Sequence, residues 1–211
     1  EKLSKNIFQQ ELENKIFTSY KKEDFSAFDL YEQIEEKNKK VTVENVSDEV
    51  KTNLYELRDL LDSTKKQILL FSGNLSWLNL KNKDINFLKS LEVLIEKGVK
   101  IKVICDVNLS GKENIEKLLS LNSKLQKEAI EIRHRKQPLR GIIFDDKKFR
   151  IKEVVEPTGK IHELNKKLFL YYTFEDKNWT EWIIKIFYKM FRNGISAEKR
   201  IRELDKIVSR I

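Results

Sequence analysis

Gln67-Ile68-Leu69-Leu70-Phe71-Ser72-Gly73 and Lys100-Ile101-Lys102-Val103-Ile104-Cys105-Asp106 are two short apolar runs that each stop in small or polar residues. Two more follow: Glu128-Ala129-Ile130-Glu131-Ile132-Arg133, and the longer Arg140-Gly141-Ile142-Ile143-Phe144-Asp145-Asp146-Lys147-Lys148-Phe149-Arg150-Ile151-Lys152. Runs rich in β-branched and aromatic residues, separated by helical patterns, predict strands of a largely parallel sheet. In open α/β sheets ligands sit off the carboxyl ends of the strands. Ser72, Gly73 and Asn74 after the first run, and Asp106 and Asn108 after the second, are therefore the expected walls of a cleft.

Upstream of this block, Val50, Leu54, Leu57 and Leu61 form a helical stripe, with Ser47 and Asp48 as candidate N-caps. Val41-Thr42-Val43 reads as a short edge strand. Phe8, Leu12, Ile16 and Tyr20, four apart, predict an amphipathic helix, and Phe25, Phe28, Tyr31 and Ile34 a shorter one; Glu35 to Lys40 is a charged linker. Between the first two runs, Trp77 and Leu78 fall in a loop. Asp84 then opens a helix with Phe87, Leu88, Leu91 and Leu94 or Ile95 inward, and Gly98 ends it. A turn at Ser110-Gly111 leads to a short helix over 113–121. Residues 140–145 and 149–155 predict a hairpin around Asp146-Lys147-Lys148, and Leu168 to Thr173 another strand. Trp179, Trp182, Ile183, Ile186, Phe187, Met190 and Phe191 share one helical face, suited to a core or a subunit interface, and Gly194 closes that helix. The last helix starts near Ser196, with Ile201, Leu204, Ile207 and Val208 on one side and Lys199, Arg200, Arg202, Lys206 and Arg210 on the other.

The chain has 211 residues, 36% of them charged and 40% hydrophobic, which suits one domain with an appendage. No apolar stretch approaches the 18 or more residues of a membrane span, and no signal-peptide pattern opens the chain, so a cytoplasmic protein without a membrane partner is expected. The lone Cys105 sits in an apolar run, as a small buried thiol does, and neither a disulfide framework nor a metal site built on cysteine is supported. Residues 1–50 hold eight Lys and twelve Asp or Glu, a net −4, so the remaining residues carry +12 to give the overall +8. A basic balance of that size suits an anionic partner. Glu1 opens the chain and the one methionine is Met190, so the expectation is a fragment whose upstream domain is missing.

The order of these elements resembles the phospholipase D superfamily over roughly residues 41–195. Glu96-Lys97-Gly98-Val99-Lys100-Ile101-Lys102-Val103 is similar to that family's helix-to-strand corner, and residues 140–150 to the strand that carries its motif, His-x-Lys-x4-Asp. The resemblance implies an α/β fold: a phospholipase D-like mixed, mostly parallel sheet flanked by helices, spanning 41–211, with 1–40 as an N-terminal helical extension or linker. It also implies a phosphohistidine chemistry that needs the motif's His. If Asp145 is the motif's Asp, Pro138 stands at the His position and Arg140 at the Lys position, and proline carries no nucleophile. His134-Arg135-Lys136 is a His-x-Lys, but Gly141 stands where its Asp belongs; His162 is followed by Glu163 and Leu164 and also fails.

The segment from Val41 through Leu54, Leu57 and Leu61 to Gly73 resembles the opening of the effector domain of TrmB-like archaeal transcriptional regulators. In those proteins a winged-helix DNA-binding domain precedes a phospholipase D-like domain that lacks catalytic residues and binds an effector. The expected function is accordingly a non-catalytic, ligand-sensing domain of a homodimeric transcriptional regulator. It takes a small anionic or polyol effector at Ser72, Gly73, Asn74, Asp106, Asn108, Arg140 and Asp145, with no cofactor and no metal. One alternative is direct nucleic-acid binding through Arg133, Arg135, Lys136, Lys147, Lys148 and Arg150, beside any contact made by the upstream domain. Another is an active phosphodiesterase with an unrecognised site.

Overall fold

A computed structural model describes residues 2–45, 52–80 and 85–209. The expected caps Ser47, Asp48 and Asp84, and also Val50 and Arg210, lie outside the described residues. Helices α1 (Lys2–Thr18) and α2 (Ala27–Tyr31) precede strand β1 (Lys39–Asn45) and helix α3 (Thr52–Asp62). A classical alternation follows: β2 (Gln67–Phe71), α4 (Phe87–Glu96), β3 (Lys100–Cys105), α5 (Lys112–Leu125) and β4 (Ile130–His134). Strands β5 (Gly141–Phe144), β6 (Lys148–Val155) and β7 (Leu168–Phe174) form a meander, closed by α6 (Lys177–Arg192), the two-residue β8 (Ile195–Ser196) and α7 (Ala197–Val208). Helix α4 is capped by Asn86, whose side chain accepts from the Lys89 N–H at 3.2 Å.

The eight strands among the described residues form one sheet in the order β1-β7-β6-β5-β2-β3-β4-β8. Only β2–β3 and β3–β4 are parallel, each joined by a helical crossover; the other neighbours are antiparallel. The sheet is thus mixed and flanked by helices, but mostly antiparallel rather than mostly parallel. The reason lies in the connections. A parallel pair needs a crossover of a dozen or more residues, whereas a short turn forces antiparallel pairing. The turn between β5 and β6 is three residues long, and the chain leaving β4 reaches the far side of β2, not the side of β4.

Strand β2 is buried on both faces, and its alternation divides two cores. Ile68 and Leu70 face α3, α4, α5 and α7; Leu69 and Phe71 face α1, α2 and α6. The aromatic face of α6 belongs to the second core. Trp179 packs edge-on against Trp182 at 5.3 Å and against Phe8 of α1 at 6.4 Å, and Phe187 against Phe71 at 5.1 Å. Of the two roles expected for this face, core or subunit interface, the structure shows the core: its large side chains are covered within the chain. Leu12, Ile16, Ala27 and Leu30 of the first 40 residues join the same core. No described helix is long and apolar enough to cross a membrane.

Candidate functional site

The carboxyl end of β2 is where the chain opens. Ser72 N–H still donates to Ile104 O at 2.9 Å, and Asp106 N–H donates to Gly73 O at 2.8 Å, so the two strand ends stay tied as they turn into loops. The connection from β4 to β5 closes over them. Buried Gln137 donates from Nε2 to Ser72 O at 3.1 Å and accepts from Leu139 N–H at 2.6 Å. This clamp places Arg140 against Gly73. A Cβ at residue 73 would lie 3.2 Å from Arg140 Nε and 3.3 Å from Nη2, so the close approach of the guanidinium suits glycine there.

Around Arg140 lies a cleft of about 400 Å³. Its lining comes from Ser72 to Asn74, from Pro138 to Ile142, from Arg150 to Val154 on β6, and from Leu54 and Leu57 on α3. Trp77 and Leu80 wall one side, and Lys22 and Glu23, between α1 and α2, reach the rim. Arg140 stands directly across the hairpin from Lys152, whose N–H donates to Arg140 O at 2.7 Å. Like charges opposite one another on a sheet repel, and the two heads diverge. Arg140 leans to Gly73 and donates from Nη1 to the carbonyls of Leu139 at 2.8 Å and Gln137 at 3.2 Å. Lys152 leans to β7, with Nζ 3.8 Å from the centre of the Phe169 ring. Of the other charges in the cleft, Arg150 pairs with Glu56 at 2.6 Å, Glu156 with Lys167 at 2.6 Å, and Lys22 with Glu23 at 3.5 Å, while the Glu153 carboxylate accepts from Ser26 Oγ and Ala27 N–H, both at 3.2 Å. Among the described residues, no carboxylate forms an ion pair with Arg140 or Lys152. Burial lowers the pKa of Arg140, only partly offset by Glu23 and Asp106; burial and then Lys22 lower that of Lys152.

Of the expected ligand-binding residues, the structure brings Ser72, Gly73, Asn74 and Arg140 to this cleft. Asp106 and Asn108 end the neighbouring strand but hold each other: Asn108 Nδ2 donates to Asp106 Oδ2 at 2.9 Å, and Asn108 Oδ1 accepts from Gly111 N–H at 3.0 Å. They shape the loop before α5 and do not line the cleft. Asp145 is a correction. Because β5 runs antiparallel to β2, Asp145 lies at the opposite end of the sheet. There its carboxylate accepts from the N–H groups of Lys66 at 2.7 Å and Gln67 at 3.1 Å, fastening the start of β2.

The expected nucleic-acid patch is likewise divided. Arg150 is buried, and its guanidinium is held by Glu56 and Asn53. Arg133 donates to Glu131 at 2.6 Å, and Lys148 pairs with Glu175 at 2.7 Å. Arg135 and Lys136 lie past the carboxyl end of β4, whereas Lys147 and Lys148 lie at the other end of the sheet. The readings that joined these residues overlooked strand direction. Lys152 was missed altogether, although counting back from the three-residue turn sets it opposite Arg140.

Cys105 is fully buried; burial, then Asp106, pushes its thiol up to about 12. His134 is half-buried, and its Nδ1 accepts from Val107 N–H at 3.0 Å, so the neutral ring carries its proton on Nε2. Burial lowers its pKa; Arg200 and Lys136 add to this, and Asp106, 3.6 Å away, opposes it. The unfolded chain, with His near 6.5, then binds more protons than the folded one just below that pH. Stability should therefore fall as the pH drops from about 7 through the unfolded value, and level off below the folded pKa. Thermal melts over that range should show a steeper decline in the wild type than in His134→Asn. Equal slopes would remove His134 from this account.

By sequence, no family model and no curated protein matches the chain. By structure, it is similar to TrmBL2, an archaeal chromatin protein described with a novel mode of DNA binding, at a TM-score of 0.50 and 16% identity over 79% of this chain. It spans 57% of the length of TrmBL2. Nuc from Salmonella typhimurium, a phospholipase D family member, aligns at a TM-score of 0.50 and 15% identity, over 75% of this chain and 97% of Nuc. NucT from Helicobacter pylori aligns at 0.51 and 13% identity, over 75% of this chain and 99% of NucT. At such identities the likeness is one of fold, and the fold of this chain is phospholipase D-like and resembles that of TrmBL2.

Proposed function

We propose that this chain is the non-catalytic, ligand-sensing part of a larger homodimeric transcriptional regulator, and that its effector is a small anion held by Arg140. The observation that carries this reading is the half-buried Arg140 guanidinium, seated on Gly73 in an open cleft and joined to no carboxylate of the described residues. A desolvated cation is stabilised by an anion brought to it. Pro138 in the lining, at the position where the phosphodiesterase motif needs His, supports a non-catalytic domain over an enzyme; the likeness to TrmBL2, equal to that with Nuc and NucT, is one of fold and does not choose between them. Lys22 and Glu23 give the occupant a route of influence. An anion at Arg140 would compete with Glu23 and so act on the segment that leads back to α1. Because α6 is covered, the dimer in this reading uses another surface.

Thermal-shift screening of sugar phosphates, nucleotides and organic acids should find stabilising ligands. Truncating one partner of a buried charge-assisted contact costs on the order of 2–5 kcal/mol of binding. The shifts should vanish in Arg140→Ala, provided circular dichroism shows that variant folded. No hydrolysis of bis-nitrophenyl phosphate by metal-free protein is expected. Turnover abolished by His134→Ala would replace this reading with an enzymatic one. Salt-sensitive nanomolar binding of DNA by the chain alone would favour the nucleic-acid reading, for which TrmBL2 is the precedent.

A further inference from the structure

The chemistry left open in the cleft narrows what it takes. The acceptor oxygens of its lining side chains are largely engaged within the protein. Ser72 Oγ accepts from Leu75 N–H at 3.3 Å, and Asn74 Oδ1 from Ser76 N–H at 3.2 Å. Asn53 Oδ1 accepts from Arg150 at 3.2 Å. The Glu153 carboxylate takes Ser26 Oγ and Ala27 N–H, both at 3.2 Å. A sugar hydroxyl donates as well as accepts, and would have to share oxygens that each already take a bond from within the protein. A carboxylate only accepts, and Arg140 offers it donors. Arg140 has Nη1 committed to two backbone carbonyls, which leaves Nε and Nη2, the edge of a guanidinium that matches a planar carboxylate with two parallel bonds. Lys152 already rests on the Phe169 ring, so Arg140 is the cation in want of a partner.

The rest of the cleft is apolar. Leu54, Leu57 and Ile142 line it, and Trp77 is held in its wall by edge-on packing against Phe87 at 5.7 Å. Leu80 lines the cleft as a 47% exposed aliphatic side chain. Small-molecule sites combine an apolar lining with a few placed polar groups in this way. Resting on the anion-binding reading above, we infer that the cleft takes an amphiphilic monocarboxylate, with its head on the Nε–Nη2 edge of Arg140 and an aliphatic or aryl body along Trp77, Leu57 and Leu80. The inference excludes free polyols as ligands, although a polyol effector was one sequence-based expectation.

Titration calorimetry with butyrate, hexanoate and octanoate below micellar concentrations tests it, with octanol, glucose, glucose 6-phosphate and octyl phosphate as comparisons. Affinity should rise roughly fourfold per added methylene. Octanol and glucose should bind at least about tenfold more weakly than octanoate, the factor expected for a lost charge-assisted contact. Arg140→Gln should abolish the preference for octanoate over octanol, and Leu80→Ser should reduce the gain with chain length. If Arg140→Gln does not fold, the chain-length series and Leu80→Ser, at an exposed rim position, still decide. Binding of glucose 6-phosphate that depends on Arg140 but not on any tail would overturn the amphiphile and keep the anion site. Octyl phosphate outbinding octanoate would overturn the carboxylate head. Loss of no anion's binding in folded Arg140→Gln would overturn both this inference and the proposed function.

Discussion

Glu56→Ala is expected to destabilise the fold by on the order of 3–5 kcal/mol, the cost of leaving a buried charge without its partner. Arg150 lies on β6 with 5% of its surface exposed. Its Nη2 reaches Glu56 at 2.6 Å and Asn53 at 3.2 Å, its Nη1 reaches Thr173 at 3.3 Å, and its Nε is buried without a partner. Glu56 is the one carboxylate among the described residues that pairs with it. The reverse deletion should be milder. Without Arg150, Glu56 keeps the Thr42 hydroxyl at 2.9 Å and the Lys40 ammonium. Arg150→Met, which fills the same space without charge, should therefore cost clearly less than Glu56→Ala, and adding Arg150→Met to Glu56→Ala should restore stability. Urea unfolding of the two single variants and the double variant at neutral pH measures this. If Glu56→Ala costs less than about 1 kcal/mol, the pair is only a surface contact in energy. Acid adds a second reading. Burial raises the Glu56 pKa, but the bonds from Lys40 and Arg150 outweigh it and hold it below the usual value. The pair's contribution is then complete above about pH 4.5 and is lost as the pH falls through the lower folded pKa.

Trp179→Ala should cost about 3–5 kcal/mol, as for other large-to-small changes in a closed core. Trp179 is 1% exposed and ties α1 to α6: Phe8 of α1 meets its ring, Trp182 crosses it, and Lys5 of α1 lies over it at 5.0 Å. Deleting the ring opens a cavity between the N-terminal helix and the sheet. The loss should appear in the unfolding midpoint and be independent of protein concentration. Dissociation of a dimer into folded monomers by Trp179→Ala, seen by light scattering, would instead make α6 an interface and contradict the packing described above.

Several features follow from residue order alone, because local chemistry dictates them. The alternation Ile68-Leu69-Leu70-Phe71 can only be buried on both faces, and it is. The helix carrying Trp179 to Phe191 and the hairpin over 140–155 need nothing beyond periodicity and a short turn. The residue pattern puts Gly73 at the end of the first run, the resemblance puts Arg140 at the motif's Lys position, and the two lie against each other in the fold. Strand direction was not legible. Periodicity is the same for a strand running either way, so Asp145 and Arg140, five residues apart, read as neighbours in one site. The sheet holds them at opposite ends because β5 returns antiparallel to β2. Charge is equally silent about burial: Arg133, Arg150 and Lys152 are all basic residues of strands. Arg133 takes Glu131 from its own strand, whereas tertiary packing gives Arg150 its carboxylate on α3, sets Lys152 on an aromatic ring, and leaves Arg140 facing a cleft. The ion pair of Arg150 is a matter of a few ångströms between segments far apart in the chain. Only the folded sheet, with α3 laid across it, sets those distances.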